Sequence, residues 1–356
     1  MDDREFDELA ALVGALLGAL EAFAFIGRRL NPPDLPALMT AVGRPEDALR
    51  EALAKLAGWQ GPALALRPQL EEAGFAVVSG FEELRGAVEA GDVLRAFRGL
   101  RHGPRALEAL YPLAAVLPPV SRFFLEPAVR ADTQLQARFE APAVATGVMH
   151  ANGEPGARGG FSLYVPEYYT PDRAWPLVVA LHGGSGNGRA FLWSWLRAAR
   201  SYGAIVVAPT AMGETWALTG PDLDTPNLTR ILAEVDARWR LDPGRLLLTG
   251  LSDGGTFSYV SGLESGSPFT HLAPVAAAFH PMLAQMADGD RVGGLPIHVV
   301  HGALDWMFPV DMARTAAEAL AAAGAEVTYR EIDDLAHTYP TEMSGEILAW
   351  MEARAR

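Results

Sequence analysis

Three residues far apart in the chain have the types needed for nucleophilic catalysis, and each sits where an apolar run gives way to a turn. Ser252 lies in Gly250-Leu251-Ser252-Asp253-Gly254, after the strand-like Arg245-Leu246-Leu247-Leu248-Thr249 and before the small-residue stretch Thr256–Gly262. A sharp passage from buried strand to helix has no room for bulky neighbours, so glycines flank a serine whose hydroxyl stands free at the strand tip. That hydroxyl is a poor nucleophile until a base takes its proton, and the base must be oriented by a carboxylate. Asp305 ends Ile297-His298-Val299-Val300-His301-Gly302-Ala303-Leu304-Asp305, a strand running into a turn. His337 lies in Asp334-Leu335-Ala336-His337-Thr338-Tyr339, between an expected strand and the C-terminal helix. Acyl transfer also places negative charge on a carbonyl oxygen, which fixed backbone N–H groups hold best. The loop His182-Gly183-Gly184-Ser185-Gly186-Asn187-Gly188, directly after the apolar run Trp175–Leu181, lets the backbone come that close. A phosphate cradle is the competing reading of such a loop. It lacks the Lys-Ser/Thr pair of a P-loop and the G-x-G-x-x-G spacing of a dinucleotide site.

The elements that must position these residues follow from periodicity and breakers. From about residue 142, expected strands are Val144–His150, Gly160–Val165, Leu177–Leu181, Ala204–Ala208, Arg245–Thr249, Val275–Phe279, Ile297–Val300 and Glu326–Ile332. Expected helices between and after them are Arg189–Ser201, Leu228–Arg238, Thr256–Gly262, Asp311–Ala323 and Thr341–Arg356. Strands alternating with helices predict a mainly parallel sheet covered on both faces. Ligands then bind beyond the carboxyl ends of the strands, where all three candidate residues fall.

With these residues in place, the chain from about 160 to 356 resembles the α/β-hydrolase superfamily, near its carboxylesterase/phospholipase and dienelactone-hydrolase-like branch. LHGGSGN resembles that branch's oxyanion loop, GLSDGG its nucleophile elbow and HGALDWMFPV its acid turn. The order Ser252, Asp305, His337 is the order this fold uses. The resemblance implies Ser252 as nucleophile, Asp305 as acid and His337 as base. It also implies an oxyanion hole from the backbone N–H of Asp253 and of Gly183 or Gly184. It is weak on substrate, because one fold hosts many chemistries.

The expected organisation is an α/β-hydrolase catalytic domain, 141–356, preceded by an all-α domain, 1–140. Candidate helices in the first part are Phe6–Ile26, Pro45–Leu56, Glu82–Glu89, Asp92–Leu100, Pro104–Tyr111 and Ala131–Arg138, with Pro32-Pro33, Gly61-Pro62 and Pro118-Pro119 read as loops. This part is expected to be a cap or packed accessory domain, with a homodimer surface or an interaction module as the alternatives. A net charge of −14 over 356 residues argues against nucleic acid and anionic membrane as partners. The absence of cysteine excludes disulfides and thiolate metal sites. The acidic start Asp2-Asp3-Arg4-Glu5 is wrong for a secretory signal, and the apolar run Leu9–Leu20 is short for a membrane span. A cytoplasmic protein without a stable membrane anchor is expected.

Other residues have less context. Trp216, His280, Trp306, Met307 and Phe308 lie on expected loops at the catalytic edge and are candidate substrate walls, with core packing as the alternative for the aromatics and a structural role for His280. His182 is read as shaping its loop, His301 as structural at the end of its strand, and His298 as a packed strand residue. Asp333 and Asp334 compete weakly with Asp305 for His337. No metal-ligand spacing is present, and neither metal nor cofactor is expected. The reading that results is a serine carboxylic-ester hydrolase for short- to medium-chain or aromatic esters. Lysophospholipase or serine peptidase activity on the same triad is the alternative, and a helical interaction module on a hydrolase-like scaffold is the alternative of another class.

Overall fold

The computed structural model describes residues 2–140, 142–152 and 157–354. The chain divides into two compact units, Met1–Asp132 and Thr133–Arg356, slightly ahead of the boundary at 140 expected from composition.

The first unit is helical. Its helices include Asp3–Arg29, Leu35–Val42, Pro45–Lys55, Arg67–Ala90, Val93–Leu100, His102–Leu110 and Pro118–Phe123. Asp2 starts the first by a capping box: its carboxylate accepts the Glu5 N–H at 2.7 Å, and the Glu5 carboxylate accepts the Asp2 N–H at 3.4 Å. At 27 residues this helix exceeds the Phe6–Ile26 span read from the sequence, and by length and composition it is long enough to cross a membrane. Leu9, Leu12, Val13, Leu16, Ala19, Leu20, Phe23 and Ile26 are buried. The expected helix Glu82–Glu89 is the end of a much longer one, Arg67–Ala90. Glycines inside it look like breakers but are contact points. A Cβ on Gly80 would lie 2.6 Å from the Phe23 ring, which packs edge-on against Phe81 at 5.5 Å. Pro118-Pro119 is likewise no loop. Both prolines sit in the first turn of Pro118–Phe123, where the missing N–H has no intrahelical partner anyway.

The second unit contains one eight-stranded sheet: β1 Gly147–Ala151, β2 Phe161–Val165, β3 Trp175–Leu181, β4 Ile205–Pro209, β5 Leu241–Leu251, β6 His271–Val275, β7 Pro296–Gly302 and β8 Glu326–Ile332. The strand order is β1-β2-β4-β3-β5-β6-β7-β8. β2 runs antiparallel to β1 and β4, and β3 to β8 are mutually parallel. The central strands read as continuous apolar runs because helices cover both faces: every residue of β4, β6 and β7 is buried. β3 has β4 on one side and β5 on the other, so successive crossovers diverge at that point. The crevice beyond the carboxyl ends of β3 and β5 is where such a sheet binds ligands.

One strand is displaced from its expected place. Val275–Phe279 was the expected sixth strand, yet β6 is His271–Val275. The apolar run continues to Phe279 without a stop signal, but Ala276 adopts a left-handed backbone (φ 47°) that ends the ladder. The expected Leu228–Arg238 helix starts earlier, at Asp224, and the expected C-terminal helix is Met343–Glu352, its last two expected residues lying outside the described ones.

His298 is packed inside β7, 5.2 Å from the Trp350 ring, and burial pushes its imidazole down to about 4. In the unfolded chain it takes a proton below its ordinary value of 6.5. Stability present above pH 6.5 is therefore lost as pH falls towards 4, by at most about 3 kcal/mol from this residue. Melting temperature followed across pH 7 to 4 is expected to decline, and His298→Leu to flatten the slope.

Candidate active site

Three glycines, Gly250, Gly254 and Gly255, and one strained serine build the turn after β5. Ser252 has φ 55° and ψ −119°, a region that L residues rarely occupy, and it is the residue before the helix Asp253–Gly262. A Cβ on Gly250 would lie 2.4 Å from the Gly254 carbonyl carbon. One on Gly254 would lie 2.4 Å from the Leu181 oxygen and 2.5 Å from that of His182. The helix thus starts in direct backbone contact with the end of β3. Gly254→Ala is expected to separate these segments, with a fall in melting temperature and loss of whatever chemistry Ser252 performs. Thermal denaturation and a serine-directed probe would read both.

Ser252, Asp305 and His337 meet at the carboxyl edge of the sheet. His337 Nε2 is 2.9 Å from Ser252 Oγ, and His337 Nδ1 is 2.8 Å from Asp305 Oδ2. A carboxylate accepts only, so Nδ1 carries the proton and the Nε2 lone pair faces the hydroxyl. Asp305 Oδ1 accepts the N–H groups of Met307 and Phe308 at 2.9 and 2.8 Å. The loops carrying Asp305 and His337 are tied together: the Leu304 N–H donates to the Leu335 oxygen at 2.9 Å, and Gly302 passes so close that a Cβ would meet that oxygen at 2.2 Å. Ser252 and Asp305 are 7% and 8% exposed, so the relay is shielded yet reachable. Asp333 and Asp334 remain exposed, while Asp305 is the carboxylate in contact.

His301 also touches the acid, which sequence reasoning did not anticipate. Its Nε2 is 3.2 Å from Asp305 Oδ2 and 2.8 Å from the Phe308 oxygen, and the ring is 1% exposed. Burial alone would push the Asp305 carboxyl up. Hydrogen bonds from His301, His337 and the Phe308 N–H outweigh it and hold the group well below the usual carboxylate range. Asp305 is therefore ionised throughout the neutral range.

The loop after β3 is held from several sides. His182 Nδ1 donates to the Gly183 oxygen at 2.7 Å, and its Nε2 accepts the Ala211 N–H at 3.1 Å. Burial pushes this imidazole down to about 4, so it stays neutral and keeps both bonds near neutral pH. The Gly183 oxygen also accepts the Gly186 N–H at 3.0 Å. The His182 oxygen accepts the indole N–H of Trp216 at 2.7 Å. In a planar trans peptide, N–H points opposite to C=O. The N–H groups of Gly183 and Gly184 consequently turn away from these anchors. Gly183 lies against Ser252: a Cβ there would be 3.6 Å from Ser252 Cβ. The Asp253 N–H, in the first turn of its helix, is a donor with no intrahelical acceptor.

The expected walls separate into two groups. Trp306 and Phe308 place their rings 6.4 and 5.2 Å from the His337 ring, both edge-on. Met307 between them is 48% exposed. Trp216 is instead 2% exposed and stacked on Phe257 at 5.5 Å. It is packed beneath the loop, where an indole N–H finds its carbonyl partner, and is not an open wall. His280 is exposed, and its Nδ1 accepts the Met282 N–H at 3.2 Å. Among the described residues, no group of three or more His, Asp or Glu is placed to hold a metal ion.

Residues 227–353, which carry Ser252, Asp305 and His337, match the Phospholipase/Carboxylesterase family. A bifunctional acetylxylan esterase/xylanase of Neocallimastix patriciarum is 30% identical over 153 residues, 42% of this chain. The chain spans only 21% of that protein's length. Similar solved structures include a thermostable esterase (22% identity, TM-score 0.47, 55% of this chain and 59% of that one). Another is the acylaminoacyl peptidase of Pyrococcus horikoshii (15% identity, TM-score 0.46, 59% of this chain and 41% of that one). With its mainly parallel sheet and its serine at a strand-to-helix elbow, the C-terminal unit has the α/β-hydrolase fold, and its residues 227–353 match the Phospholipase/Carboxylesterase family.

Proposed function

We propose that this chain is a serine carboxylic-ester hydrolase working through an acyl-enzyme. The observation that carries the reading is the continuous relay from Ser252 Oγ through His337 to Asp305, at 2.9 and 2.8 Å. Ser252 Oγ attacks the ester carbonyl carbon as His337 Nε2 takes its proton, and the ionised Asp305 stabilises the imidazolium. The N–H of Asp253, with that of Gly183 or Gly184, receives the charge on the carbonyl oxygen. The tetrahedral intermediate collapses, its carbon–alkoxide bond breaks, and His337 returns the proton to the leaving alcohol. Water then attacks the acyl carbonyl while His337 accepts a proton. The acid departs and Ser252 regains its hydrogen.

The surroundings of His337 favour apolar esters. Leu304, Trp306 and Met307 are each nearly half exposed on the turn that carries Asp305. Short- to medium-chain acyl or aromatic esters fit such a rim better than highly charged ones. Lysophospholipid and peptide remain as rival substrates on the same relay, and the relative's name adds acetylated xylan to the compounds worth assaying.

The test is intact-mass analysis of the whole protein after treatment with an organophosphonate, beside Ser252→Ala. One adduct on the parent and none on the variant is expected, together with turnover of p-nitrophenyl esters. Absence of an adduct would reject the nucleophile. Fast cleavage of peptide anilides with negligible ester turnover would reject the esterase and leave a peptidase.

A further inference from the structure

The segment after β4 touches both halves of the expected oxyanion hole. From Ala211 to Ala217 it contacts the loop after β3 and the helix after β5, which are otherwise separate in sequence. Ala211 holds the His182 ring, and the Trp216 indole holds the His182 oxygen at 2.7 Å. Trp216 also stacks on Phe257 of the nucleophile helix, at 5.5 Å and 18° between planes. Next to it, the Thr215 hydroxyl donates to Asp253 Oδ2 at 2.5 Å. The segment itself is fixed by Asp224, a buried carboxylate that accepts the N–H groups of Met212 and Ala217, both at 2.8 Å.

The Asp253 carboxylate creates a difficulty for any chemistry that develops an oxyanion here. Its Oδ2 lies 2.8 Å from where a Gly184 Cβ would stand, beside the loop whose N–H groups must stay available. Left to turn, a carboxylate in that place would accept a loop N–H for itself, and its charge would repel an oxyanion. The Thr215 hydrogen bond fixes the direction in which it points.

We propose that Thr215 and Trp216 are positioning residues for oxyanion stabilisation. Thr215 holds the Asp253 carboxylate off the hole, and Trp216 pins the His182 carbonyl so that the following N–H points into it. Neither touches substrate. The inference rests on the hydrolytic reading of the site and adds to it the part that aligns the donors.

The consequence is a loss confined to the transition state. The full chain is compared with Thr215→Val, Thr215→Ser, Asp253→Asn, Thr215→Val/Asp253→Asn and Trp216→Phe. Three quantities are read: kcat and KM on p-nitrophenyl butyrate, and inhibition by an aryl trifluoromethyl ketone, which forms a tetrahedral adduct with a serine. Thr215→Val is expected to lower kcat by about 10- to 100-fold and weaken the ketone in parallel, with KM little changed. Thr215→Ser, which restores the hydroxyl, is expected to recover most of it. In the Asp253→Asn background the same Thr215→Val change is expected to cost less than threefold, because no charge remains to be held. Trp216→Phe keeps the stacked ring, loses the donor and is expected to behave like Thr215→Val. Thr215→Val within twofold of the parent in kcat, or an undiminished loss in the Asp253→Asn background, overturns the role of Thr215. A Trp216→Phe loss seen equally in KM, or absent, overturns that of Trp216. An organophosphonate adduct on the parent separates the two levels. With the adduct present, these failures sink the positioning role alone; without it, the reading of the site falls as well.

Discussion

Ser252→Ala lowers kcat on p-nitrophenyl esters by about 10⁴-fold or more, with little change in melting temperature. The side-chain oxygen contacts His337 Nε2, and its removal leaves the elbow glycines and the backbone bond from Ser252 N–H to the Val275 oxygen, 2.9 Å, intact. His337→Ala is expected to fall by a comparable factor, and the double variant no further, because nucleophile and base act as one unit. Residual turnover reports donors that survive, namely the N–H groups of Asp253 and the glycine loop. Steady-state kinetics with active-site titration check this. A Ser252→Ala enzyme that keeps a tenth of parental activity would remove the serine from the mechanism.

Asp305→Asn is the second large effect, and its direction follows from hydrogen-bond geometry. Two backbone N–H groups, of Met307 and Phe308, bind Oδ1. The asparagine carbonyl therefore takes that position, and the amide NH₂ occupies the place of Oδ2, against His337 Nδ1. An NH₂ group only donates, so His337 must present a lone pair at Nδ1 and carry its proton on Nε2, facing Ser252. The base then points a proton at the hydroxyl it should deprotonate. A loss of about 10⁴-fold in kcat at neutral pH is expected, with the fold retained. Nitrogen NMR of labelled histidine should show the tautomer reversed at His337 in the variant. An unchanged tautomer with full activity would mean that Asp305 does not orient the base.

Much of the site could be read from sequence because each element carried its own signal. Ser252 had two glycines and a preceding strand, Asp305 a strand end and His337 a loop between strand and helix. Close backbone approach forbids a Cβ at Gly250, Gly254 and Gly302, and only glycine writes that requirement in one letter. The parts that were missed have no such mark. Thr215 and Asp224 act through contacts across the carboxyl edge of the sheet, and nothing in their neighbours reveals the partner. The one available hint was positional: the segment follows β4, which lies beside β3. Trp216 was open between a wall and core packing, because sequence cannot say which way an indole faces. His301 was read as a structural residue, and it also faces Asp305. In the helical unit, the expected Glu82–Glu89 covered only the end of Arg67–Ala90, inside which Gly74 and Gly80 permit close packing against Leu53 and Phe23. The strand ending at Val275 was misplaced because a left-handed alanine carries no compositional signature.

The backbone at Ser252 has a bearing on how this scaffold could be improved. Its φ of 55° with ψ −119° is comfortable for glycine and uncomfortable for serine. The resting molecule is thus kept away from its most stable form at the residue proposed as its nucleophile. Ser252→Gly should melt higher than the parent, by about 1 kcal/mol after the greater freedom of glycine in the unfolded chain is set against the relieved strain. Calorimetry of the two proteins would show it. Screens that select for heat resistance alone will therefore drift towards inert proteins at this position, and any thermostabilisation of the enzyme has to be sought away from the elbow.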